Sequence, residues 1–363
     1  MGLWEGSLES MVDIWRGRRV FLTGHTGFKG GWLSVWLSLR GAVIRGFSLD
    51  PDTNPSFFSM VRVQEIVDDV RGDIRDYAPL QSALSDFSPE VVFHLAAQPL
   101  VRRSYADPLT TYATNVMGTA NLLNAVRSCP SVKAVVCITT DKCYENREWI
   151  WPYRETDGLG GHDPYASSKA CAELVTAAFR SSFFSATTSP RVGIATSRAG
   201  NVIGGGDWSE DRLIPDLVRG FESGTKVQIR NPKAIRPWQH VLEPLEGYLR
   251  LAENLLADPI RFGTAYNFGP DQEGCWPVER ILQEFGKNWG GGAAWEFVPD
   301  TKLHEAQVLR LDSSKSRAEL SWLPRLKTVD AIRWTAEWYK AWTRGADLRA
   351  ETIRQIKEYQ VLI

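Results

Sequence analysis

The sequence is poor in cysteine, in histidine and in long apolar runs. Its 363 residues include five cysteines and five histidines. The cysteines show no C-x-x-C spacing, which argues against a disulfide scaffold or a zinc site and is typical of the reducing cytoplasm. No apolar run reaches the roughly 18 residues that a membrane-spanning helix needs, and the amino terminus lacks the pattern of a secretion signal. We therefore expect a cytoplasmic protein without a membrane span or a metal.

An excess of charge of one sign is also missing. The 42 lysine and arginine residues balance 43 aspartate and glutamate residues, which leaves a net charge of -1. Such a chain has no overall field that would recruit nucleic acid or an anionic membrane, so neither is expected as a partner. An anionic ligand therefore needs a local binding site.

What the sequence does contain is an alternation of apolar segments with amphipathic segments of helical length. The apolar segments lie at about residues 18–24, 42–50, 91–98, 134–140 and 191–204. Each is apolar almost throughout, which is typical of strands that are buried on both faces of a parallel sheet. The pattern predicts an α/β fold with a Rossmann-type doubly wound parallel sheet.

The alternation becomes irregular after residue 203, which predicts two lobes. Residues 12–203 are expected to form the Rossmann domain, to which residues 236–269 return. Residues 204–235 and 270–345 are expected to form a smaller, irregular α+β lobe that binds the substrate, followed by a tail at 346–363. Trp334, Trp338 and Trp342 recur every four residues, which predicts a helix packed on the core.

A glycine-rich turn follows the first predicted strand and leads into a predicted helix. Its G-x-x-G-x-x-G run lets the backbone turn sharply and approach a pyrophosphate, whose charge the helix N-terminus favours. In this strand-turn-helix context the run predicts a dinucleotide site. The candidate cofactor residues of the turn are Gly24, Thr26, Gly27, Phe28, Lys29 and Gly30.

Other candidate cofactor residues follow the later strands. Asp50 closes the second strand, where an acid binds the adenosine ribose and favours NAD over NADP. The alternative is that Asp50 only begins a turn. The remaining candidates on the cofactor side are Asp73, Ile74, Ala96, Ala97, Gln98, Asn115, Thr139, Tyr165 and Lys169.

A group of polar residues carries the predicted chemistry. Thr140 and Asp141 follow the fifth strand, and Tyr165 and Lys169 are one turn apart on a predicted helix. A tyrosine can act as a base near neutral pH only if its pKa falls well below about 10. We expect the Lys169 ammonium and a nicotinamide cation to favour the phenolate.

The order of these motifs resembles that of the extended short-chain dehydrogenase/reductases that act on nucleotide sugars. The shared motifs are the glycine turn, the Thr140 strand, the Tyr165 and Lys169 pair, and R-x-x-N-V-x-G at residues 198–204. GHTGFKGGWLSVWL, TTDKCYENREW, DPYASSKACAEL and RAGNVIGGGDW are similar to segments of the branch that dehydrates CDP-glucose. The similarity spans about residues 18–250 and is looser at LRLDSSKSRAELSW.

The resemblance implies a hydro-lyase that converts CDP-D-glucose into CDP-4-dehydro-6-deoxy-D-glucose and water, recycles bound NAD and forms a homodimer or a higher oligomer. It implies that Tyr165 takes the 4-hydroxyl proton with Thr140 as partner, and that Asp141 protonates the departing 6-hydroxyl. Lys142 replaces a glutamate of related dTDP-glucose enzymes, and its role stays open between C5 base, enolate stabiliser and a group that steers Asp141. The implied substrate-binding residues are Arg198, Asn201, Arg212, Leu213, Arg236 and His304.

Two alternatives use the same motifs. A nucleotide-sugar 4-epimerase, a reductase or a dehydratase of another nucleotide sugar would share Thr140, Tyr165 and Lys169. An epimerase would not need an acid for water loss, so Asp141 is the discriminating residue. A non-catalytic NAD-binding scaffold is the other alternative, although such proteins commonly lose the tyrosine or the lysine.

Overall fold

The computed structural model of the protein describes residues 13–185, 191–290, 295–298 and 306–362. The strands are β1 (Arg19–Thr23), β2 (Val43–Ser48), β3 (Asp68–Arg71), β4 (Val91–His94), β5 (Ala134–Ile138), β6 (Gly193–Ala199), β7 (Val202–Ile203), β8 (Val227–Ile229), β9 (Ile235–Pro237), β10 (Gln239–His240), β11 (Ala265–Phe268), β12 (Cys275–Pro277) and β13 (Trp295–Phe297). The α-helices are α1 (Phe28–Leu39), α2 (Phe57–Met60), α3 (Tyr77–Phe87), α4 (Val101–Ala106), α5 (Pro108–Tyr112), α6 (Gly118–Arg127), α7 (Pro164–Phe183), α8 (Leu213–Ser223), α9 (Leu242–Ala257), α10 (Val278–Trp289), α11 (Ser314–Leu320), α12 (Thr328–Thr343) and α13 (Leu348–Val361). A π-helical turn at Ala113–Met117 connects α5 and α6, and short 3-10 turns lie at Val63–Glu65, Asp141–Cys143 and Gln272–Gly274.

Seven strands form one parallel sheet in the order β11-β6-β5-β4-β1-β2-β3. From β1 the chain moves outward to β2 and β3, and then returns to β4 on the other side of β1. The winding therefore reverses between β1 and β4, and sheets of this kind bind ligands at the carboxyl ends of the strands near that point. The predicted doubly wound Rossmann-type sheet is confirmed.

Neighbouring residues of the central strands pack on opposite faces of this sheet. Phe21 and Val92 belong to the apolar core beneath α3 and α6. Val20 and Val91 belong to the core that α1, α9 and α12 share. Because helices cover both faces, β4 and β5 are buried at every position and β1 is buried except at Arg19, which explains why these strands are mostly apolar.

The strand β3 was not predicted, and its position in the sheet explains why. It pairs with β2 alone at the edge of the sheet, and its four residues are Asp-Asp-Val-Arg. An edge strand is covered less than a central one, so charged side chains are tolerated there. The apolar pattern that indicates the other strands is therefore absent.

Three further pairs of strands lie outside the main sheet, namely β7 with β10, β8 with β13 and β9 with β12. The predicted tryptophan helix is α12, in which Trp334 and Trp338 are buried in the core as expected. The last helix, α13, packs on α1 through Tyr359 and Trp36, whose ring centroids are 5.7 Å apart.

Within the described ranges all five cysteines are free. The same residues include no group of three or more His, Cys, Asp or Glu side chains that could hold a metal ion. None of the helices that the structure describes combines the length and the apolar character needed to cross a membrane.

Candidate active site

The glycine turn is a tight junction between β1, β4 and α1. Gly24 has a φ of +79°, and a Cβ atom there would come within 2.6 Å of the Ala96 nitrogen. A Cβ atom on Gly30 would come within 2.1 Å of the Gly24 carbonyl oxygen. The helix α1 begins after the exposed Gly27, and no side chain caps its first N–H groups. Those N–H groups can receive an anion, so the turn fits the diphosphate of a dinucleotide.

The other residues of the turn have distinct environments. The Thr26 hydroxyl donates to the Leu49 carbonyl oxygen at 3.0 Å, which ties the turn to the end of β2. Phe28 and Lys29 are half-buried, and Lys29 lines the cavity described below. Burial lowers the pKa of Lys29 to about 8.

The predicted adenosine-binding residues follow β2 and β3, at the same edge of the sheet as the glycine turn. The side chain of Asp50 is 91% exposed and lies 3.4 Å from Nη1 of Arg71. Asp73 accepts hydrogen bonds from Arg75, and these bonds lower the Asp73 pKa. Ile74 is buried next to them. All three predicted residues therefore lie on the β2 and β3 side of the point where the winding reverses.

The end of β4 continues into Ala96, Ala97 and Gln98. The Gln98 N–H donates to Oδ1 of Asn115 at 2.8 Å, and Nδ2 of Asn115 donates to the Gln98 carbonyl oxygen and to Oγ of Ser168. Asn115 is buried, and the protein itself occupies its amide group. Asn115 thus fixes the loop after β4 against α7.

The end of β5 presents Thr140 and Asp141 to the site. The 3-10 turn that follows the strand buries Asp141, and the Thr140 hydroxyl donates to its Oδ1 at 3.0 Å. The second carboxyl oxygen, Oδ2, is buried and has no hydrogen-bond partner in the protein. Burial raises the Asp141 pKa, although the nearby Lys142 ammonium and the Thr140 hydrogen bond act against this shift. Asp141 is therefore poised to hold a proton at higher pH than an ordinary aspartate.

The helix α7 positions Tyr165 and Lys169. The Asp163 carboxylate accepts a hydrogen bond from the Ala166 N–H at 2.8 Å, so the helix begins at the predicted cap. Tyr165 is buried, and Thr140 is one of the groups that act on its phenol and lower its pKa. The Lys169 ammonium donates to the Ile138 carbonyl oxygen at 3.2 Å, beneath the end of β5. The predicted Thr140, Tyr165 and Lys169 are thus brought together.

The electrostatics of Tyr165 differ from the expectation. Burial raises the Tyr165 pKa to about 12, and the Thr140 hydrogen bond and the Arg212 charge reduce this shift without reversing it. Burial also lowers the Lys169 pKa to about 8. The protein groups on their own therefore keep the phenol protonated, because desolvation outweighs the nearby cations.

A cavity of about 350 Å³ lies over these groups. The predicted catalytic residues in its lining are Thr140, Asp141, Lys142 and Tyr165, next to Thr139. Lys29 and the predicted substrate residues Asn201, Arg212, Leu213 and Arg236 also line the cavity. The Arg212 guanidinium lies 2.9 Å from the Asp207 carboxylate. Arg236 is buried and donates to the Ala306 carbonyl oxygen. The cavity therefore combines a proton-transfer cluster with cations suited to phosphate oxygens.

Arg198 is a correction to the sequence prediction. It does not line the cavity; its guanidinium is buried behind the site and bonds to the Glu173 carboxylate at 2.7 Å. The R-x-x-N-V-x-G motif locates Arg198 in β6 but cannot show to which face its side chain turns. The other predicted substrate residue, His304, lies outside the described residues.

Three charged residues of the cavity were missed by the sequence reasoning. Asp211 accepts from Arg230 at 2.9 Å and lies 3.5 Å from Nε of Arg102, and all three line the cavity. Arg102 ends the segment AAQPLVR (residues 96–102), and Arg230 lies in IRNPKAIRPW (residues 229–238), which contains two arginines and a lysine, so the sequence did hold a signal. Because they are far apart in the chain, sequence spacing could not bring them to one place.

The parallel sheet, the glycine turn and the Thr140, Tyr165 and Lys169 cluster together define the extended short-chain dehydrogenase/reductase class. The family model described as GDP-mannose 4,6 dehydratase matches residues 21–335, and the chain belongs to this family.

Individual relatives fall within the same class. A CDP-glucose 4,6-dehydratase from Salmonella typhimurium is 50% identical over 353 residues, covering 96% of this chain and 98% of the relative. The structure of a dTDP-glucose 4,6-dehydratase from Streptomyces venezuelae with bound NAD is similar at a TM-score of 0.75 and 25% identity, covering 91% of this chain and 99% of the other. A UDP-glucose 4-epimerase from Thermotoga maritima shares the fold, with a TM-score of 0.77 and 21% identity over 90% of this chain and 99% of its own.

Proposed function

We propose that the protein converts CDP-D-glucose into CDP-4-dehydro-6-deoxy-D-glucose and water, with NAD as a bound and recycled cofactor. The 50% identity to a CDP-glucose 4,6-dehydratase over nearly the whole chain supports CDP-glucose as the substrate. The observation that carries the reaction type is Asp141, a buried carboxyl group with one unpartnered oxygen in the cavity beside Tyr165. An acid at this place is needed to expel water and is not needed for epimerisation.

We infer that NAD lies across the carboxyl ends of β1 and β4. The free N–H groups after Gly27 suit its diphosphate, and Asp50 suits the adenosine ribose. Asp73 and Ile74 are assigned to the adenine end. Bound there, NAD would supply the hydride acceptor for C4 and the hydride donor for C6 of the sugar, and its nicotinamide cation would add the positive charge that the Tyr165 phenolate needs.

In the first step Tyr165 removes the proton of the 4-hydroxyl group. Thr140 holds the same oxygen atom by its hydroxyl, since it lines the same cavity as Tyr165. Lys169 supplies a positive charge from below the strand end. The resulting 4-ketone acidifies the hydrogen on C5.

In the second step Asp141 gives its proton to the departing 6-hydroxyl group. Its raised pKa fits this role, because a carboxyl group can act as an acid only while it remains protonated. Lys142 is adjacent and lines the same cavity. Its candidate roles are the base at C5, the stabilisation of the enolate and the steering of Asp141, and Lys142→Met distinguishes the first from the others by hydrogen exchange at C5.

We assign the nucleotide diphosphate to the arginine side of the cavity. Asn201, Arg212 and Arg236 offer amide and guanidinium donors that match phosphate oxygens. Arg102 and Arg230 add two more cations, which Asp211 partly neutralises. In this assignment residues 204–235 and 270–345 hold the nucleotide sugar, while the Rossmann domain holds NAD.

The decisive experiment is an assay of the purified protein with CDP-glucose, dTDP-glucose and GDP-glucose. We expect a 4-keto-6-deoxy product from CDP-glucose without net formation of NADH. Inversion at C4 with retention of the 6-hydroxyl would instead identify an epimerase. Tight NAD binding without turnover of any nucleotide sugar would identify a scaffold.

We further infer that two copies of the chain pair through the helical stretches of residues 107–127 and 164–184. Large apolar side chains on these helices are exposed: Leu109 (81%), Met117 (57%), Leu174 (58%) and Phe183 (40%). Such a concentration is typical of an interface that joins helices across a two-fold axis.

The dimer is tested by light scattering of Leu109→Glu combined with Leu174→Glu. We expect the doubly charged surface to halve the measured mass. Leu323→Glu is the control, because Leu323 is equally exposed at 57% but lies between α11 and α12. A monomeric wild type, or an undiminished mass of the double variant, contradicts the inference.

A cytoplasmic location and a place in deoxysugar biosynthesis, such as that of an O-antigen, complete the proposal. The five free thiols support a reducing compartment. Cell fractionation with an antibody to the protein tests the location.

A further inference from the structure

A buried carboxylate lies directly behind the proton-transfer cluster. Glu173 is on α7, one turn after Lys169, and is only 4% exposed. It accepts hydrogen bonds from the Thr139 hydroxyl at 2.5 Å, from the Thr196 hydroxyl at 2.7 Å and from Nη2 of Arg198 at 2.7 Å. Glu173 therefore joins α7 to the ends of β5 and β6.

Glu173 and Arg198 form an ion pair, and further hydrogen bonds of Arg198 connect this pair to the wall of the cavity. Nη1 of Arg198 donates to the Tyr144 hydroxyl at 2.8 Å and to the Glu155 carbonyl oxygen at 3.2 Å. The Tyr144 hydroxyl in turn donates to Oδ1 of Asn267 on β11 at 2.7 Å. Tyr144 lines the cavity, so the network reaches from the sheet to the substrate side.

Glu173 is charged at neutral pH. Burial raises the pKa of a carboxyl group, but the Arg198 charge and the three hydrogen bonds outweigh burial here and leave the Glu173 pKa below its ordinary value. A buried ion pair is weak evidence for stability, because desolvation opposes the attraction between the charges. The location of the pair therefore calls for a reason other than stability.

That reason is found in the surroundings of Lys169. The titratable and charged groups that act on its ammonium include Lys29, His94, Cys137, Cys143 and Glu173. Burial keeps His94 and both thiols neutral, and Lys29 is a cation. Glu173 is thus the anion of this group, and it opposes the loss of charge that burial imposes on Lys169.

We propose that Glu173 is a positioning residue of the hydride-transfer step, which keeps the Lys169 ammonium charged and holds the Thr139 end of β5 so that Thr140 faces Tyr165. This inference rests on the proposed function. Glu173 does not line the cavity and touches no reacting atom. Its effect passes through Lys169 and through the strand end.

The test compares the pH dependence of kcat and KM in Glu173→Gln and in the double variant Glu173→Gln, Arg198→Met. The double variant removes both charges, so no unpaired guanidinium remains buried. If the single variant does not fold, the pH dependence of the double variant alone tests the proposal. We expect the alkaline limb of kcat to move to lower pH by roughly one unit in Glu173→Gln, since a nearby opposite charge shifts a pKa by about that much or more. The double variant should shift it in the same direction but by less, because the Arg198 cation is removed as well. KM for CDP-glucose should stay near the wild-type value.

Glu243→Gln is the matched control. Glu243 is also a buried glutamate that accepts three hydrogen bonds, but it lies on α9 and is not among the groups that act on Lys169. It should keep the wild-type pH profile even if its stability changes.

A wild-type pH profile and kcat in the double variant would overturn the proposal, as would a defect confined to KM. If wild-type protein does not turn over CDP-glucose, the proposed function fails instead. The same pH comparison is then made on whichever nucleotide sugar reduces bound NAD.

Discussion

The pKa values of single residues in the site depend more on burial than on the neighbouring residues in the sequence. Removal from water favours the neutral form of both acids and bases, so the Asp141 pKa rises while the Lys169 pKa falls to about 8. A protonated Asp141 is useful to the elimination, whereas a neutral Lys169 is not useful to the hydride transfer. As pH rises, the elimination loses its acid when Asp141 ionises, and the hydride transfer loses its cation above about 8. We therefore expect activity to decline on the alkaline side for two separable reasons.

Replacement of Asp141 by Asn separates the two half-reactions. The amide keeps the shape of the side chain but cannot donate an acidic proton, so we expect dehydration to fall by about 10²- to 10⁴-fold. Hydride transfer from C4 depends on Tyr165 and should persist, so NADH should accumulate on the enzyme. Single-turnover absorbance for NADH, together with mass spectrometry of the sugar, measures both steps.

The control for this variant is Asp86→Asn, which changes an exposed aspartate of α3 and should leave both steps intact. Full water release by Asp141→Asn would contradict the assigned role and would return the site to the epimerase alternative.

At the scale of elements, two helical glycines offer a matched comparison. Gly30 lies in α1, where a Cβ atom would meet the Gly24 carbonyl oxygen at 2.1 Å, whereas Gly286 lies in α10 with nothing within 4 Å. Gly30→Ala should destabilise the protein by about 1–3 kcal/mol, since the backbone has to move apart. It should also weaken NAD binding, because the same turn holds the diphosphate.

Gly286→Ala should instead be neutral or stabilise the protein by up to about 1 kcal/mol, because alanine is the better helix former. Urea unfolding and NAD titration measure both variants. Equal stability of the two variants would show that the turn and α1 are not in close contact.

How much of each element could be predicted depended on how deeply it is buried. The strands β1, β4 and β5 have an apolar face on each side of the sheet, so the sequence itself carries their signal. β3 has no such signal, since an edge strand with Asp68 and Asp69 looks like a loop. The short paired strands of residues 204–235 depend on partners far along the chain and leave no local pattern.

The site could likewise be predicted only where its residues are close together in the sequence. Tyr165 and Lys169 were predictable because one helical turn fixes their relation. Arg198 was misassigned, since only the folded sheet shows that its guanidinium meets Glu173 instead of the cavity. Arg102 and Asp211 meet across the cavity from distant segments, and no sequence spacing predicts such a contact.

One buried carboxyl group, that of Glu243, joins the last helices to the rest of the molecule. Glu243 on α9 accepts hydrogen bonds from the N–H groups of Arg325 and Leu326 at 2.9 and 2.6 Å, and from the Tyr359 hydroxyl at 2.8 Å. It is fully buried. It therefore holds α13 and the segment before α12 against the Rossmann core.

This arrangement makes the stability of the protein depend on pH. Burial raises the Glu243 pKa to about 7 from an ordinary value of 4.5. The folded state then binds the proton more tightly than the unfolded state, so the contribution of Glu243 to the free energy of unfolding is complete below about pH 4.5 and is lost as pH rises to about 7. The shift corresponds to a change on the order of 3 kcal/mol.

Glu243→Gln removes this titration, and we expect the free energy of unfolding to depend less on pH between 5 and 8 than in wild type. Urea unfolding at several pH values measures the slope. Glu358→Gln is the control on α13. Because Glu358 is exposed, this substitution should leave the pH dependence of the free energy of unfolding as in wild type. An unaltered slope in Glu243→Gln would mean that Glu243 is ionised in the folded protein throughout this range, with the three donors outweighing its burial.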